Sequence, residues 1–211
     1  MDYLTVAMAK GRTAERAMKF LEKSDVHFSE FTDESRKLVI YDDKQKIKLI
    51  FVKAVDVPVY VEKGAADVGI VGKDVMMEDP RDVYELLDLG IGRCKLAVAG
   101  YPDTPIENIP FLTVASKYPL VAKEFFDKKG IRTEMIKLNG SIELAPLIGM
   151  SDVIVDIVET GTTLKENGLV VLQEMADVSA RLIVNKASYA TKTGDIQQFI
   201  KDMKEGLEVR S

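Results

Sequence analysis

The feature that most constrains this chain is a repeated unit: a short apolar run, a glycine, then a stretch with helical spacing. The first copy is Tyr3-Leu4-Thr5-Val6-Ala7-Met8, closed by Lys10-Gly11-Arg12 and followed by Ala14, Ala17, Met18 and Leu21. Apolar residues three and four positions apart line one face of a helix, so the segment reads strand, turn, helix. The unit recurs at Ala66 to Val71 with Gly72-Lys73-Asp74, at Arg132 to Leu138 with Asn139-Gly140-Ser141, and at Asp152 to Val158 with Thr160-Gly161-Thr162-Thr163. Alternating β and α units predict an α/β fold of parallel, helix-flanked sheets that bind ligands beyond the carboxyl ends of their strands.

Other segments fill in this plan. Lys37 to Tyr41 and Lys46 to Lys53 alternate as two strands, and Asp42-Asp43 between them suggests an antiparallel hairpin. Asp56 before Val57-Pro58 suits a helix start, with the aspartate as cap and proline in the first turn. Strands are expected at 94–100, 111–115, 169–175 and 180–184, with helices at 117–128 and from Thr191 or Asp195 onward. Two lobes joined near residues 92–94 and 179–181 follow: lobe I from 1–92 plus 180–211, and lobe II from 93–179, with the ligand cleft between them.

Composition excludes several kinds of chemistry. The 211 residues are 46% hydrophobic, enough for a buried core, and a net charge of -5 with no basic block leaves no nucleic-acid footprint. A lone Cys94 and a lone His27 can form neither an internal disulfide nor a cysteine/histidine metal site, which fits a reducing cytoplasm. The N-terminus lacks the plan of a signal peptide, and no apolar run approaches the roughly 18 residues of a membrane span, so a cytoplasmic location is expected. No G-x-S-x-G motif accompanies the histidine. Catalysis, if present, rests on positioning, carboxylates, basic groups, backbone amides and a divalent ion. Cys94 opens an apolar strand and reads as a small buried hydrophobe, and His27 as a surface residue.

Each of the four glycine junctions can present free N–H groups at a helix N-terminus, where partial positive charge favours phosphate. In the plainer reading, each glycine merely turns the chain after a strand. Residues 153–169, VIVDIVETGTTLKENGL, carry the most information. A buried strand ends near Asp156 and Glu159, whose carboxylates accept hydrogen bonds from vicinal ribose hydroxyls, and the Thr-Gly-Thr-Thr amides and hydroxyls suit a 5′-phosphate. Together the halves describe a sugar phosphate. The competing reading is a capped helix after a core strand, with Thr162 or Thr163 as the cap.

This loop resembles the phosphoribosyl-pyrophosphate loop of phosphoribosyltransferases, and the whole chain resembles the short form of the ATP phosphoribosyltransferase family of histidine biosynthesis. The landmarks run nearly end to end: Ala9-Lys10-Gly11-Arg12, Asp56-Val57-Pro58, Gly64 to Gly69, Gly72-Lys73-Asp74, Gly140 to Pro146, and Asp156 to Leu164. The resemblance implies a two-lobed fold similar to type II periplasmic binding proteins, and a glycosyltransferase that uses Mg2+, ATP and phosphoribosyl pyrophosphate to make phosphoribosyl-ATP and pyrophosphate. By the same resemblance, Glu159, Thr160, Gly161, Thr162 and Thr163 hold the 5-phosphate and ribose with Asp156 in support. Lys10, Arg12 and Lys53 face the triphosphate or pyrophosphate, and Glu143 lies across the cleft from the sugar. Gly11, Gly72 and Ser141 complete the substrate-binding set. The family commonly has arginine where this chain has Lys53, and lysine keeps the charge without bidentate geometry.

The family's long form adds a histidine-binding regulatory domain, which is not expected in a sequence of this length. The short form implies a separate regulatory subunit similar to histidyl-tRNA synthetase, in a hetero-oligomer built on a homodimer of this chain, and histidine is then expected not to bind this chain alone. Three other functions share parts of this pattern. A solute-binding module without catalysis has the same two-lobed plan, but the expected lack of an export signal and the 159–163 loop count against it. The ligand-sensing half of a transcription regulator would carry a DNA-binding helix pair that does not precede the first strand. Another phosphoribosyltransferase, with a different acceptor base, differs only in the acceptor.

Overall fold

The computed structural model describes residues 3–31 and 35–208. The fold is α/β, with two mixed sheets in two compact units, one formed by residues 1–92 and 179–211 and the other by residues 93–178. Among the described residues, no helix is long and apolar enough to cross a membrane.

In the first unit, β1 (Leu4–Met8) pairs in parallel with β3 (Ile47–Phe51) on one side and β4 (Val68–Gly72) on the other. The antiparallel hairpin expected near residue 42 is present: β2 (Val39–Asp42) pairs with β3. Both faces of the sheet are covered. Leu21 of helix α1 (Arg12–Glu22), with Phe199 and Met203 of α8 (Thr193–Glu208), joins Leu49, Ile70 and Leu182 in one buried cluster. On the opposite face Val57 and Val61 of α2 (Val57–Glu62) pack with Ala7, Val71 and Ile183.

Helix α2 forms despite three β-favouring valines, because this packing outweighs propensity. Asp56 does not cap it with its side chain; it lies in the single helical turn Ala54–Asp56, and Pro58 sits in the first turn. The close fit of α2 on β4 explains Gly69, where an added Cβ would lie 2.7 Å from Val61 Cγ2 and 2.9 Å from Val57 Cγ1. Gly69→Ala is expected to destabilise the unit by about 1–3 kcal/mol through overpacking, measured by urea denaturation. Gly140→Ala, where an added Cβ meets nothing within 4 Å, should be close to neutral.

The expectation of parallel sheets needs correction. β11 (Ala180–Val184) runs antiparallel to β4 and to β5 (Tyr84–Asp88), and in the second unit β10 (Val170–Val178) runs antiparallel to β6 (Cys94–Gly100), which is antiparallel to β9 (Val153–Val158). The reason is chain entry and exit. The chain enters the second unit on β6 and leaves on β10, and antiparallel neighbours bring those connections side by side, with Cys94 opposite Val178. Only β9, β7 (Leu112–Ser116) and β8 (Thr133–Lys137) keep the parallel arrangement among the described strands of this sheet. Helix α4 (Pro119–Lys128) packs on β7 and β8.

A buried polar knot ties the first unit together. Asp67 Oδ2 accepts from Thr5 N–H at 2.9 Å and from Lys192 Nζ at 2.9 Å, and Oδ1 accepts from the Ser188 hydroxyl at 2.7 Å. Asn185 caps α7 (Lys186–Thr191) by accepting from Ser188 N–H at 2.8 Å, and its amide donates to Val61 O at 2.8 Å.

Candidate active site

The central element is β9 and the turn that follows. Val153, Ile154 and Val155 are fully buried, and the strand emerges at Asp156, whose Oδ1 accepts from Ile157 N–H at 2.7 Å. Glu159, Thr160 and Gly161 then turn the chain into the five-residue helix α6 (Thr162–Glu166). Gly161 has φ 73° and ψ 5°, the left-handed region that a β-branched residue strongly disfavours. The Thr160 and Thr162 hydroxyls lie 3.0 Å apart, and Gly161 O accepts from Lys165 N–H at 3.0 Å. Neither Thr162 nor Thr163 is the cap expected of a plain helix start; Gly161 holds that position, with no side-chain cap bond. The turn is seated by buried Leu164, which packs with Ala99, Ile142, Ala145 and Ile154. It therefore presents exposed threonines and a glycine turn on a fixed base.

These residues line a concavity of about 210 Å³ on one face of the sheet, together with Asp156, Glu143 and Ala97. Glu143 reaches it because Ser141 takes a left-handed turn, φ 49°, just before α5 (Leu144–Leu147). Gly140-Ser141 is the bend that leads, through a turn at residues 142–143 in which Leu144 N–H donates to Ser141 O at 3.1 Å, into this short helix. The lining offers hydroxyls and the start of α6, whose first-turn N–H groups point back along the helix axis. It also offers the Glu143, Asp156 and Glu159 carboxylates. That combination suits a ligand that carries both a phosphate and hydroxyls.

A second concavity of about 380 Å³ shares Ala97 and residues 158–161 with the first and extends to Arg93, Cys94 and Glu174. Cys94 is half-buried there, more open than the core residue expected. His27, read as a surface residue, is exposed with Nε2 3.3 Å from Asp25 Oδ1.

In the first unit the structure gathers Lys10, Gly11, Arg12, Lys53 and Gly72 at the carboxyl ends of β1, β3 and β4. Met8 pairs with Phe51 and Ile70, and each candidate lies a few residues beyond that line. Lys10 is exposed, donates to the Ser35 carbonyl and stands 5.3 Å from the Phe51 ring centroid. Gly11, φ 106°, starts α1, and its carbonyl accepts from Glu15 N–H at 3.1 Å. At Gly72 the amide that follows is used internally, since Lys73 N–H donates to Ser179 O at 2.9 Å ahead of α3 (Lys73–Glu78). That amide is therefore not free for a ligand, and at the Gly161 turn the Thr162 N–H likewise donates to Thr160 Oγ1, at 3.4 Å. Among the described residues no group of three or more histidine, cysteine or carboxylate side chains is placed to hold a metal ion. Ala97, which lines both concavities, carries no chemical signature in the sequence; only the register sets it opposite Asp156.

The family model for HisG, described as ATP phosphoribosyltransferase, matches residues 53–205. Curated proteins named ATP phosphoribosyltransferase include one from Oceanobacillus iheyensis, 51% identical over 200 residues, covering 95% of this chain and 96% of that protein. Another, from Geobacillus kaustophilus, is 54% identical over 197 residues, covering 93% and 95%. A solved structure of the ATP phosphoribosyl transferase (HisG:HisZ) complex from Thermotoga maritima superimposes with a TM-score of 0.85 at 34% identity, covering 97% of this chain and 98% of that one. Fold, site and relatives define a phosphoribosyl-transferring enzyme of the glycosyltransferase class. More particularly, the chain belongs to the HisG family of ATP phosphoribosyltransferases.

Proposed function

We propose that this chain transfers the phosphoribosyl group of phosphoribosyl pyrophosphate to N1 of ATP, giving phosphoribosyl-ATP and pyrophosphate in the first step of histidine biosynthesis. The observation that carries the reading is the concavity lined by the Thr160–Thr163 turn together with Asp156, Glu159 and Glu143. In this assignment the turn's amides and hydroxyls hold the 5-phosphate, Asp156 and Glu159 accept from the ribose hydroxyls, and Ser141 sets Glu143 toward the sugar. Lys10, Arg12 and Lys53 stabilise the phosphates, and Gly11 and Gly72 turn the chain where those phosphates lie.

Adenine N1 is unprotonated near neutral pH, so it attacks the anomeric carbon without prior deprotonation. The C1–oxygen bond breaks with inversion, and pyrophosphate leaves with the electron pair. The cationic side chains stabilise the charge growing on the leaving group, while the carboxylates tolerate an oxocarbenium-like sugar. Among the described residues no three carboxylates converge there, so Mg2+ would be held mainly by the substrate's phosphates and water, with one or two oxygen ligands from Glu143, Asp156 or Glu159, which line the concavity. When bound, Mg2+ neutralises part of the pyrophosphate charge. Lys10→Ala is expected to lower kcat about 100- to 1000-fold with little change in folding, checked by steady-state kinetics and thermal melting.

The relative from Thermotoga maritima is described as a HisG:HisZ complex. By that likeness, this chain assembles with a HisZ-type regulatory subunit, similar to histidyl-tRNA synthetase; a homodimer within that hetero-oligomer and a cytoplasmic location are carried over from the sequence's resemblance to the family. The test is calorimetric titration of phosphoribosyl pyrophosphate with Mg2+ into the chain, with and without the regulatory subunit. Saturable binding is expected, and its absence in both conditions would overturn the assignment.

A further inference from the structure

Ala97 occupies a singular place on the sheet. It lies on β6, with Asp156 directly opposite on β9 and Glu174, whose carboxylate accepts from Lys95 Nζ at 2.5 Å, directly opposite on β10. Cross-strand neighbours on one face have Cβ atoms about 5 Å apart, close enough for one side chain to fill its neighbour's space. Ala97 is 1% exposed and floors both concavities, which meet over it beside residues 158–161. Ala99, two residues on, faces the same side but is packed beneath Ile154 and Leu164 in the core that seats α6. The two alanines therefore differ in what they leave room for: Ala99 for the core, Ala97 for a ligand.

We propose that Ala97 is the residue that sets the size of the sugar subsite. This rests on the reading that residues 159–163 take the phosphate and Asp156 the ribose hydroxyls. A ring bonded to Asp156 lies over the cross-strand residue, and only a side chain as short as alanine or serine leaves space for it. A phosphate alone needs just the turn and does not reach position 97. Ala97 is thus a specificity residue acting by volume, with no hydrogen bond to offer.

The experiment is an amide NMR titration of the full chain with inorganic phosphate, then ribose 5-phosphate, following Gly161, Thr162 and Thr163. Ala97→Leu should leave the phosphate affinity within about twofold and lower ribose 5-phosphate affinity about tenfold or more, toward that of phosphate. Ala97→Ser should behave as the unsubstituted chain does. Ala99→Val, which disturbs the seat of α6, should weaken both ligands together. Unchanged ribose 5-phosphate binding in folded Ala97→Leu would overturn the proposal, as would equal loss of both ligands. If Ala97→Leu does not fold, Ala97→Val is read by the same criteria. An unsubstituted chain that binds ribose 5-phosphate no better than phosphate would instead overturn the functional reading, and the size proposal with it.

Discussion

Replacing Gly161 with valine is expected to lower the affinity for phosphoribosyl pyrophosphate at least about 100-fold while the chain stays folded. Space is not the difficulty, because a Cβ at this position would meet Val158 Cγ1 at 3.8 Å, an ordinary contact. The difficulty is the backbone, since φ 73° sets a β-branched side chain against its own carbonyl at a cost of roughly 1–2 kcal/mol. The turn relieves that strain by rotating, which displaces the amides and hydroxyls of residues 160–163, among them the Thr162 N–H that donates to Thr160 Oγ1 at 3.4 Å. Leu164 and its neighbours keep α6 seated, so the loss stays local. Circular dichroism and melting should show a folded variant, and calorimetry should show the lost affinity. Affinity equal to that of the unsubstituted chain would separate the turn from the phosphate.

The second large effect is on stability. Asp67→Ala leaves the Thr5 amide, the Ser188 hydroxyl and the Lys192 ammonium without their shared acceptor, and is expected to cost about 3 kcal/mol in urea denaturation at neutral pH. The effect has a defined pH dependence. Burial pushes the Asp67 carboxyl up, but the bonds from Thr5, Ser188 and Lys192 outweigh it and hold the group below its ordinary value. A carboxyl depressed in the folded state contributes stability that is fully present above its unfolded pKa, about 3.9, and lost as pH falls through the lower folded value. The gap between wild type and variant should therefore be widest near neutrality and narrow below about pH 4. A gap that does not change with pH would assign the loss to packing.

Much of this was legible in the sequence, and what was not has common causes. The β9 strand, the glycine turn and α6 are written locally, as a buried valine and isoleucine run followed by Thr-Gly-Thr-Thr. The hairpin at β2 and β3 is equally local. Strand direction is not, because β6 and β10 are neighbours only through the route by which the chain enters and leaves its second unit. β5 was missed for another reason. Tyr84–Asp88 is a largely exposed edge strand with little apolar alternation, held partly by Arg181, whose guanidinium lies 3.4 Å from Glu85 and 2.5 Å from Asp88. Asp56 satisfied the composition rule for a helix cap, yet a single helical turn ahead of α2 leaves it in helical geometry without that bond. Ala97 shows the limit most plainly, since its role follows from register and from the space above it.

The most direct test of the central assignment is product formation. The chain, combined with a HisZ-type regulatory subunit, ATP, phosphoribosyl pyrophosphate and Mg2+, is followed by mass spectrometry and by pyrophosphate release. The account predicts ATP and phosphoribosyl pyrophosphate consumed one for one, with phosphoribosyl-ATP and pyrophosphate accumulating together. Loss of phosphoribosyl pyrophosphate with ATP untouched, by hydrolysis or by transfer to another acceptor, would contradict it.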